Sequence, residues 1–127
     1  MIITSLYAGL FAILLLCLTL NVVRLRREHK IGLLDEGNIV LRKAIRMHGN
    51  ATETIPILLI LMGLAESNAA SPLLLHVVGS VGFFCRVWHA LGIAKSSGVS
   101  KGRLFGMLGT FLVILFLAVF NIVCALI

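Results

Sequence analysis

The chain has 127 residues, 60% of them apolar and only 13% charged, with a mean hydropathy of +1.10. A soluble domain of this length is nearer half apolar and a quarter charged. One small core cannot hide so much apolar surface, which excludes a soluble enzyme, a disordered chain and a DNA-binding domain. The net charge of +6 and pI near 9.9 are then to be explained by where the basic residues sit, with no nucleic-acid partner.

A helix that crosses a bilayer needs about 20 predominantly apolar residues. The first such stretch covers about 2–24 and ends in the basic run Arg24-Leu-Arg-Arg-Glu-His-Lys30. Its charges follow the apolar run, which fits a first spanning helix and not a secretory leader. A link from about Leu25 to Asn38 carries the breakers Gly32 and Gly37. The next apolar run, Ile55 to Ala65, is too short alone. It is extended back to Ile39 through Arg42, Lys43, Arg46, Asn50 and Glu53, giving a second span of about 39–65. Such a half-polar helix is tolerated only with its polar side turned away from lipid. Ser71-Pro72 opens the third span, about 72–94. Ser100 is an expected N-cap for the fourth, about 103–127, after the polar link Lys95–Gly102. The expected fold is one all-α domain, an antiparallel bundle of four transmembrane helices.

All eleven Lys and Arg flank the first and third links; the middle link, Glu66–Pro72, has none. Four antiparallel spans put the first and third links on one side, which the positive-inside rule makes cytoplasmic, with both termini outside. Cys17, Cys85 and Cys124 are odd in number and lie within apolar spans without ligand spacing, so neither a disulfide frame nor a metal site is expected.

At about 100° per residue, Arg42, Arg46, Gly49 and Glu53 share one face of the second span, with Asn50 beside it. Arg86 and His89 share a face of the third span, Arg103 opens the fourth, and Arg24 closes the first. Every span thus brings a polar group toward the basic side, as an interior pocket requires. Guanidiniums grip carboxylates, Glu53 suits an ammonium group, and an amide both donates and accepts. A ligand with carboxylates, an amine and peptide groups matches this set. Other readings stay open: Arg24, Arg42 and Lys43 as interface charges, Glu53 ion-paired with Arg46 or Arg86, and His89 as a structural hydrogen-bonding group. Gly102 and Gly106 have the spacing that lets helices approach closely.

The segment Lys43-Ala-Ile-Arg-Met-His-Gly-Asn-Ala-Thr-Glu-Thr-Ile-Pro56 resembles the second-helix signature of the MAPEG family, the membrane-associated proteins in eicosanoid and glutathione metabolism. Arg86-Val-Trp-His89 resembles that family's third-helix Arg-x-x-His, and Arg24-Leu-Arg26 its basic exit from the first helix. The resemblance covers essentially the whole chain and points to the bacterial branch, in an inner membrane. It implies a homotrimer with glutathione sites between protomers, open to the cytoplasm. Carried over, Arg46, Asn50, Glu53 and His89 hold the tripeptide, with Arg24 and Arg86 as further contacts. Arg103 matches the arginine credited with stabilising the thiolate. No metal is implied. Studied members carry tyrosines on helices three and four where this chain has Ile93 and Met107, and Gly49 stands where some have arginine.

The expected function is that of a glutathione transferase or peroxidase acting on lipophilic electrophiles from the bilayer. The alternatives are a non-catalytic glutathione-binding or membrane-organising trimer, and a small multidrug transporter. The transporter reading needs a membrane carboxylate for cation coupling, and Glu53 lies among arginines that repel a cationic drug.

Overall fold

A computed structural model describes residues 1–96, 98 and 100–127. They form four helices: α1 (Ile2–His29), α2 (Ile39–Ser67), α3 (Pro72–Lys95) and α4 (Lys101–Leu126). Three N-termini are capped as their sequences dictate, a side-chain oxygen accepting an otherwise orphaned N–H. Asn38 accepts from Leu41 at 3.0 Å, Ser71 from Leu74 at 3.3 Å and Ser100 from Arg103 at 3.3 Å. The first turn of α1 is capped from afar: the Glu66 carboxylate, at the end of α2, accepts from the N–H groups of Ile3 (3.0 Å) and Thr4 (2.8 Å). That contact joins the start of α1 to the end of α2 and so fixes them antiparallel.

The link between α1 and α2 is shorter than the 25–38 expected from composition, because α1 stays helical to His29. Leu25 is held by a small apolar cluster with Ile31, Leu41 and Ala44, so packing carries the helix past the membrane run. Lys30, at φ 57°, ends it in the left-handed region, and the Ile31 N–H returns to the Arg26 carbonyl at 3.0 Å. Part of the third link, read as 95–102, falls at positions 97 and 99, outside the described residues.

Both α2 and α3 pack against all the other helices, whereas α1 and α4 share no contact among the described residues. The main core lies away from the basic side and joins Tyr7, Phe11, Ile55, Leu58, Met62, Leu75 and Leu117. The small Leu25–Leu41 cluster lies toward the basic side. The polar interior is elsewhere in the bundle, where Asn50, Arg86, His89 and Thr110 are all buried. The exterior is greasy instead, with Leu16, Leu20, Phe84, Phe111 and Leu115 more than half exposed. Polar groups inside and apolar groups outside are what hydrocarbon surroundings select. Helices α1, α3 and α4 are each long and apolar enough to cross a membrane, and α2, with its charged first half, packs against all three.

Close approach of α3 and α4 needs glycine. A Cβ on Gly106 would lie 2.6 Å from the Cys85 carbonyl oxygen and 2.7 Å from the His89 nitrogen, both backbone atoms that cannot swing aside. Gly106→Val is expected to cost about 1–3 kcal/mol by overpacking, read as a lower thermal midpoint in detergent. Gly9→Val, with open space around its Cα, is the control and should leave the midpoint nearly unchanged.

Candidate functional site

The first turns of α2, the last turn of α3 and the first turn of α4 meet at the basic side and enclose a cavity of about 330 Å3. Arg42, Lys43, Arg46 and Arg103 bring four cations to its wall. Asn50 supplies an amide, and Ile39, Ile93 and Ser96 complete the lining. No carboxylate among the described residues lines it, which suits the cavity to an anion.

Each wall residue is held by its own helix geometry. Arg46 and Asn50 are one turn apart on α2, and the guanidinium donates to the amide oxygen at 3.4 Å. The Lys43 ammonium reaches across to the Ala94 carbonyl at 3.5 Å, tying α2 to the end of α3. Arg103 donates from Nη1 to the Gly98 carbonyl at 2.8 Å, which orients its guanidinium and leaves further donors. Arg42 donates to Asp35, with Nη2 3.4 Å from Oδ1. This guanidinium, helped by the Gly37 N–H at 3.1 Å, holds the Asp35 carboxyl below its ordinary range.

A group whose pKa is lower in the folded state stabilises the fold above its unfolded pKa, and that stability fades as pH falls through the folded value. The stabilisation by Asp35 is therefore full above about pH 4 and lost on further acidification. Asp35→Asn should flatten the acid limb of thermal midpoint against pH and leave the neutral region's slope unchanged, as followed by circular dichroism.

Behind the cavity, His89 is 4% exposed, with Nδ1 3.0 Å from the Arg103 carbonyl oxygen. Its Nε2 is buried and has no hydrogen-bond partner among the described residues. Arg86 is turned into the bundle at 2% exposure and does not line the cavity. Nε donates to Thr110 Oγ1 at 2.8 Å, Nη1 to Thr54 Oγ1 at 3.2 Å and Nη2 to the Gly106 carbonyl at 3.0 Å. One guanidinium thus joins α2 and α4 to α3, and no ion pair holds it among the described residues.

The expected site residues therefore fall into three places. Arg46, Asn50 and Arg103 share the cavity, with His89 and Arg86 behind it. Glu53 and Arg24 are exposed on the outside of the chain. Glu53 forms no ion pair with Arg46 or Arg86, and Arg24 donates to Asn21 Oδ1 at 3.1 Å. Arg42 and Lys43, open to interface or pocket by sequence alone, both line the cavity. Thr54 and Thr110 are not singled out by periodicity. Their signal in the sequence is a hydroxyl within the apolar run of α4 and another directly before that of α2, each an acceptor for an arginine.

The profile of the family described as MAPEG matches residues 4–123. The chain belongs to the MAPEG family. It is also 36% identical over 120 residues to "Inner membrane protein YecN" of Escherichia coli strain K12, an alignment covering 94% of this chain and 90% of the relative. The YecN protein of E. coli O6:H1 gives the same figures. Membership makes this an all-α membrane protein of the glutathione and eicosanoid metabolism kind. MAPEG proteins include glutathione transferases and peroxidases, whereas the E. coli relative is named only for its membrane. Among the described residues no group of His, Cys, Asp and Glu could hold a metal ion, and the three cysteines are free.

Proposed function

We propose that the chain is a bacterial inner-membrane glutathione transferase or peroxidase that binds glutathione in the basic cavity and conjugates or reduces lipophilic electrophiles arriving from the bilayer. The observation that carries this is the cavity itself: four cations and an amide around about 330 Å3, with no carboxylate among the described wall residues. Glutathione brings two carboxylates and peptide groups to such a wall, and Arg46 and Asn50 are the contacts for them. His89 stands behind them, its Nδ1 3.0 Å from the Arg103 carbonyl oxygen.

The chemistry requires a thiolate. A free thiol with a pKa near 8.5 is mostly protonated at neutral pH, and an adjacent guanidinium favours the ionised form. Arg103 is that group in this reading: the thiol proton leaves to solvent and the thiolate attacks an electrophilic carbon. The carbon–sulfur bond forms as the bond to the leaving group breaks, and that group departs with the electron pair. With a hydroperoxide the thiolate attacks oxygen, and the O–O bond breaks to give alcohol and a sulfenic acid. A second glutathione then condenses with the sulfenic acid to disulfide and water. Glu53 and Arg24 support a homotrimer in the same reading. Both are charged, exposed from one protomer and placed on helices that enter hydrocarbon, where an unpartnered charge is costly. A neighbouring protomer's site would give each a partner, Glu53 meeting the ligand's ammonium. The basic links would face the cytoplasm and the termini the outside.

A non-catalytic glutathione-binding trimer is the second reading. It is favoured by Ile93, buried in the cavity wall, and by Met107, whose sulfur lies 3.7 Å from Arg86 Nη2. Neither supplies the hydroxyl that a tyrosine would bring to the thiol.

Purified protein in detergent is to be assayed for glutathione binding by calorimetry, for conjugation of a generic electrophile, and for mass. Binding with turnover and a trimeric mass is the expected result, and Glu53→Ala should weaken binding at least tenfold while leaving the helical content intact. Binding without turnover selects the second reading. Absence of binding by the folded wild-type protein overturns both.

A further inference from the structure

We infer that Asp35 is a built-in competitor for the cavity. Its carboxylate occupies the Arg42 guanidinium that a ligand carboxylate would take, and the link that carries it, residues 31–38, loosens when the two exchange. This rests on the glutathione reading only for the ligand's identity.

The cavity wall singles out Arg42. Lys43, Arg46 and Arg103 are each held by a neutral partner: the Ala94 carbonyl at 3.5 Å, the Asn50 amide oxygen at 3.4 Å and the Gly98 carbonyl at 2.8 Å respectively. Arg42 alone of the four is paired with a carboxylate among the described residues. Its Nε and Nη2 both turn to Asp35, the second 3.4 Å from Oδ1, so one edge of the guanidinium is fully used. Asp35 itself is not in the wall. A planar fork that binds one carboxylate through parallel bonds can take another in the same geometry. A spherical anion such as chloride does not match it. The Arg42 side chain is 58% exposed, which leaves room for the exchange.

The link is built to let go. Its ends are fixed, because Ile31 is buried with Leu25, Leu41 and Ala44, and Asn38 caps α2 through the Leu41 N–H at 3.0 Å. Between them Leu34 and Glu36 sit at φ 53° and 45°, in the left-handed region that is costly for a residue other than glycine. Such a conformation persists only where its surroundings impose it. Arg26 holds the Leu34 carbonyl at 3.0 Å, and Asp35 supplies the rest. Its Oδ1 accepts from the Gly37 N–H at 3.1 Å and its carbonyl from the Asn38 N–H at 2.7 Å, while Arg42 fixes the carboxylate. Neither Glu28 nor Glu36, the other acids nearby in the chain, forms an ion pair among the described residues. An ion pair between exposed groups contributes little to stability, and Asn38 starts α2 without it. Beside a cation-lined cavity the same pair has a different consequence.

A ligand that must displace Asp35 binds with an affinity reduced by the fraction of molecules in which Arg42 is free. The coupling is reciprocal, so ligand binding frees the link by the same factor. One of the two glutathione carboxylates takes over the Arg42 bonds, and Asp35 passes to water with its charge. Removing that charge therefore tightens binding, the opposite of what losing a structural contact does.

The test titrates full-length protein in dodecyl maltoside by calorimetry with glutathione and, separately, with glutarate, a dicarboxylate without amine or thiol. Asp35→Asn should tighten binding of either ligand about threefold, within the range of an exposed ion pair. Glu36→Gln removes a neighbouring charge that Arg42 does not hold and should change affinity far less. In an Arg42→Gln background, itself expected to bind several-fold more weakly, Asp35→Asn should have no effect, since it acts through that guanidinium. Hydrogen exchange is the second readout: amides 31–38 should exchange several-fold faster in ligand-free Arg42→Gln and in the wild type saturated with ligand. Thermal midpoints establish that every variant folds. Weaker or unchanged binding in Asp35→Asn, an equal gain in Glu36→Gln, or link exchange that ligand leaves unaltered overturns the competitor role. Glutarate binding that tightens in Asp35→Asn, with no binding of glutathione, supports the competitor role and overturns only the glutathione reading. Absence of binding by both ligands overturns both.

Discussion

Replacing Arg103 by alanine is expected to lower conjugation turnover about 100-fold, the loss typical when one group that stabilises developing or resident negative charge is removed. The glutathione contacts proposed for Arg46 and Asn50 remain, so binding should weaken far less than turnover. The geometry behind this is specific. Arg103 sits in the first turn of α4, its N–H capped by Ser100 at 3.3 Å and its Nη1 fixed on the Gly98 carbonyl at 2.8 Å. The rest of its guanidinium faces the cavity that Arg42, Lys43 and Arg46 also line. A second readout separates charge stabilisation from a purely structural role. The bound thiol should ionise at higher pH in Arg103→Ala, seen as a shifted thiolate absorbance titration, and Arg103→Lys should recover part of both shift and rate because it keeps the charge but not the fork. If Arg103→Ala binds glutathione and turns over like the wild type, the thiolate role is wrong.

The second large effect is on stability. Arg86→Ala should destabilise the bundle by about 2–4 kcal/mol, since charged hydrogen bonds contribute about 1.5–3 each and their orphaned acceptors must then stay buried. Hydrogen bonds within membranes average less, which sets the lower end of that range. Arg86 bonds Thr110, Thr54 and the Gly106 carbonyl from one planar group. Thr110 keeps its own bond to the Gly106 carbonyl at 2.9 Å, but Thr54 keeps only its bond to the Asn50 carbonyl within α2. The interhelical tie is what disappears. Arg86→Lys should restore less than half, because one ammonium on a flexible stem cannot reach acceptors on α2 and α4 in the same geometry. Unfolding by added sodium dodecyl sulfate, followed by helical signal, measures both. A midpoint unchanged in Arg86→Ala would show that the guanidinium is not the fastening the contacts describe.

In the proposed reading, glutathione recognition and bundle stability therefore fall to different arginines on adjoining layers. Arg46 and Arg103 face an open cavity. Arg86, at the first position of the Arg-x-x-His pair, is sealed behind them, and His89, its partner in sequence, links to the Arg103 backbone at 3.0 Å. A substitution at His89 should consequently disturb the start of α4 and so move the Arg103 side chain, even without any direct ligand contact.

Much of this was legible in the amino-acid order because it depends on local chemistry. Four helices follow from apolar run lengths and from the Ser71 and Ser100 caps, which act within three residues. The basic side follows from eleven cations that all flank two links. Family membership follows from residues closely spaced on α2 and α3. What the order of residues left open concerns which way a side chain faces once helices have packed. Periodicity placed Arg86 on a face with His89 and suggested a ligand contact; only the neighbouring Thr110 and Thr54, 24 and 32 positions away in the chain, turn it inward. Periodicity placed Glu53 with Arg42 and Arg46, yet the bundle closes so that the arginines line a cavity and the carboxylate stays outside. Likewise α1 outruns its membrane stretch because Leu25 finds Leu41 and Ala44. By itself the sequence determined the helices, their caps, the basic side and the family, all set by composition and short-range hydrogen bonding. The assignment of each arginine to cavity, clamp or exterior was decided by the tertiary structure, because that depends on acceptors and apolar neighbours that meet only when the helices pack together.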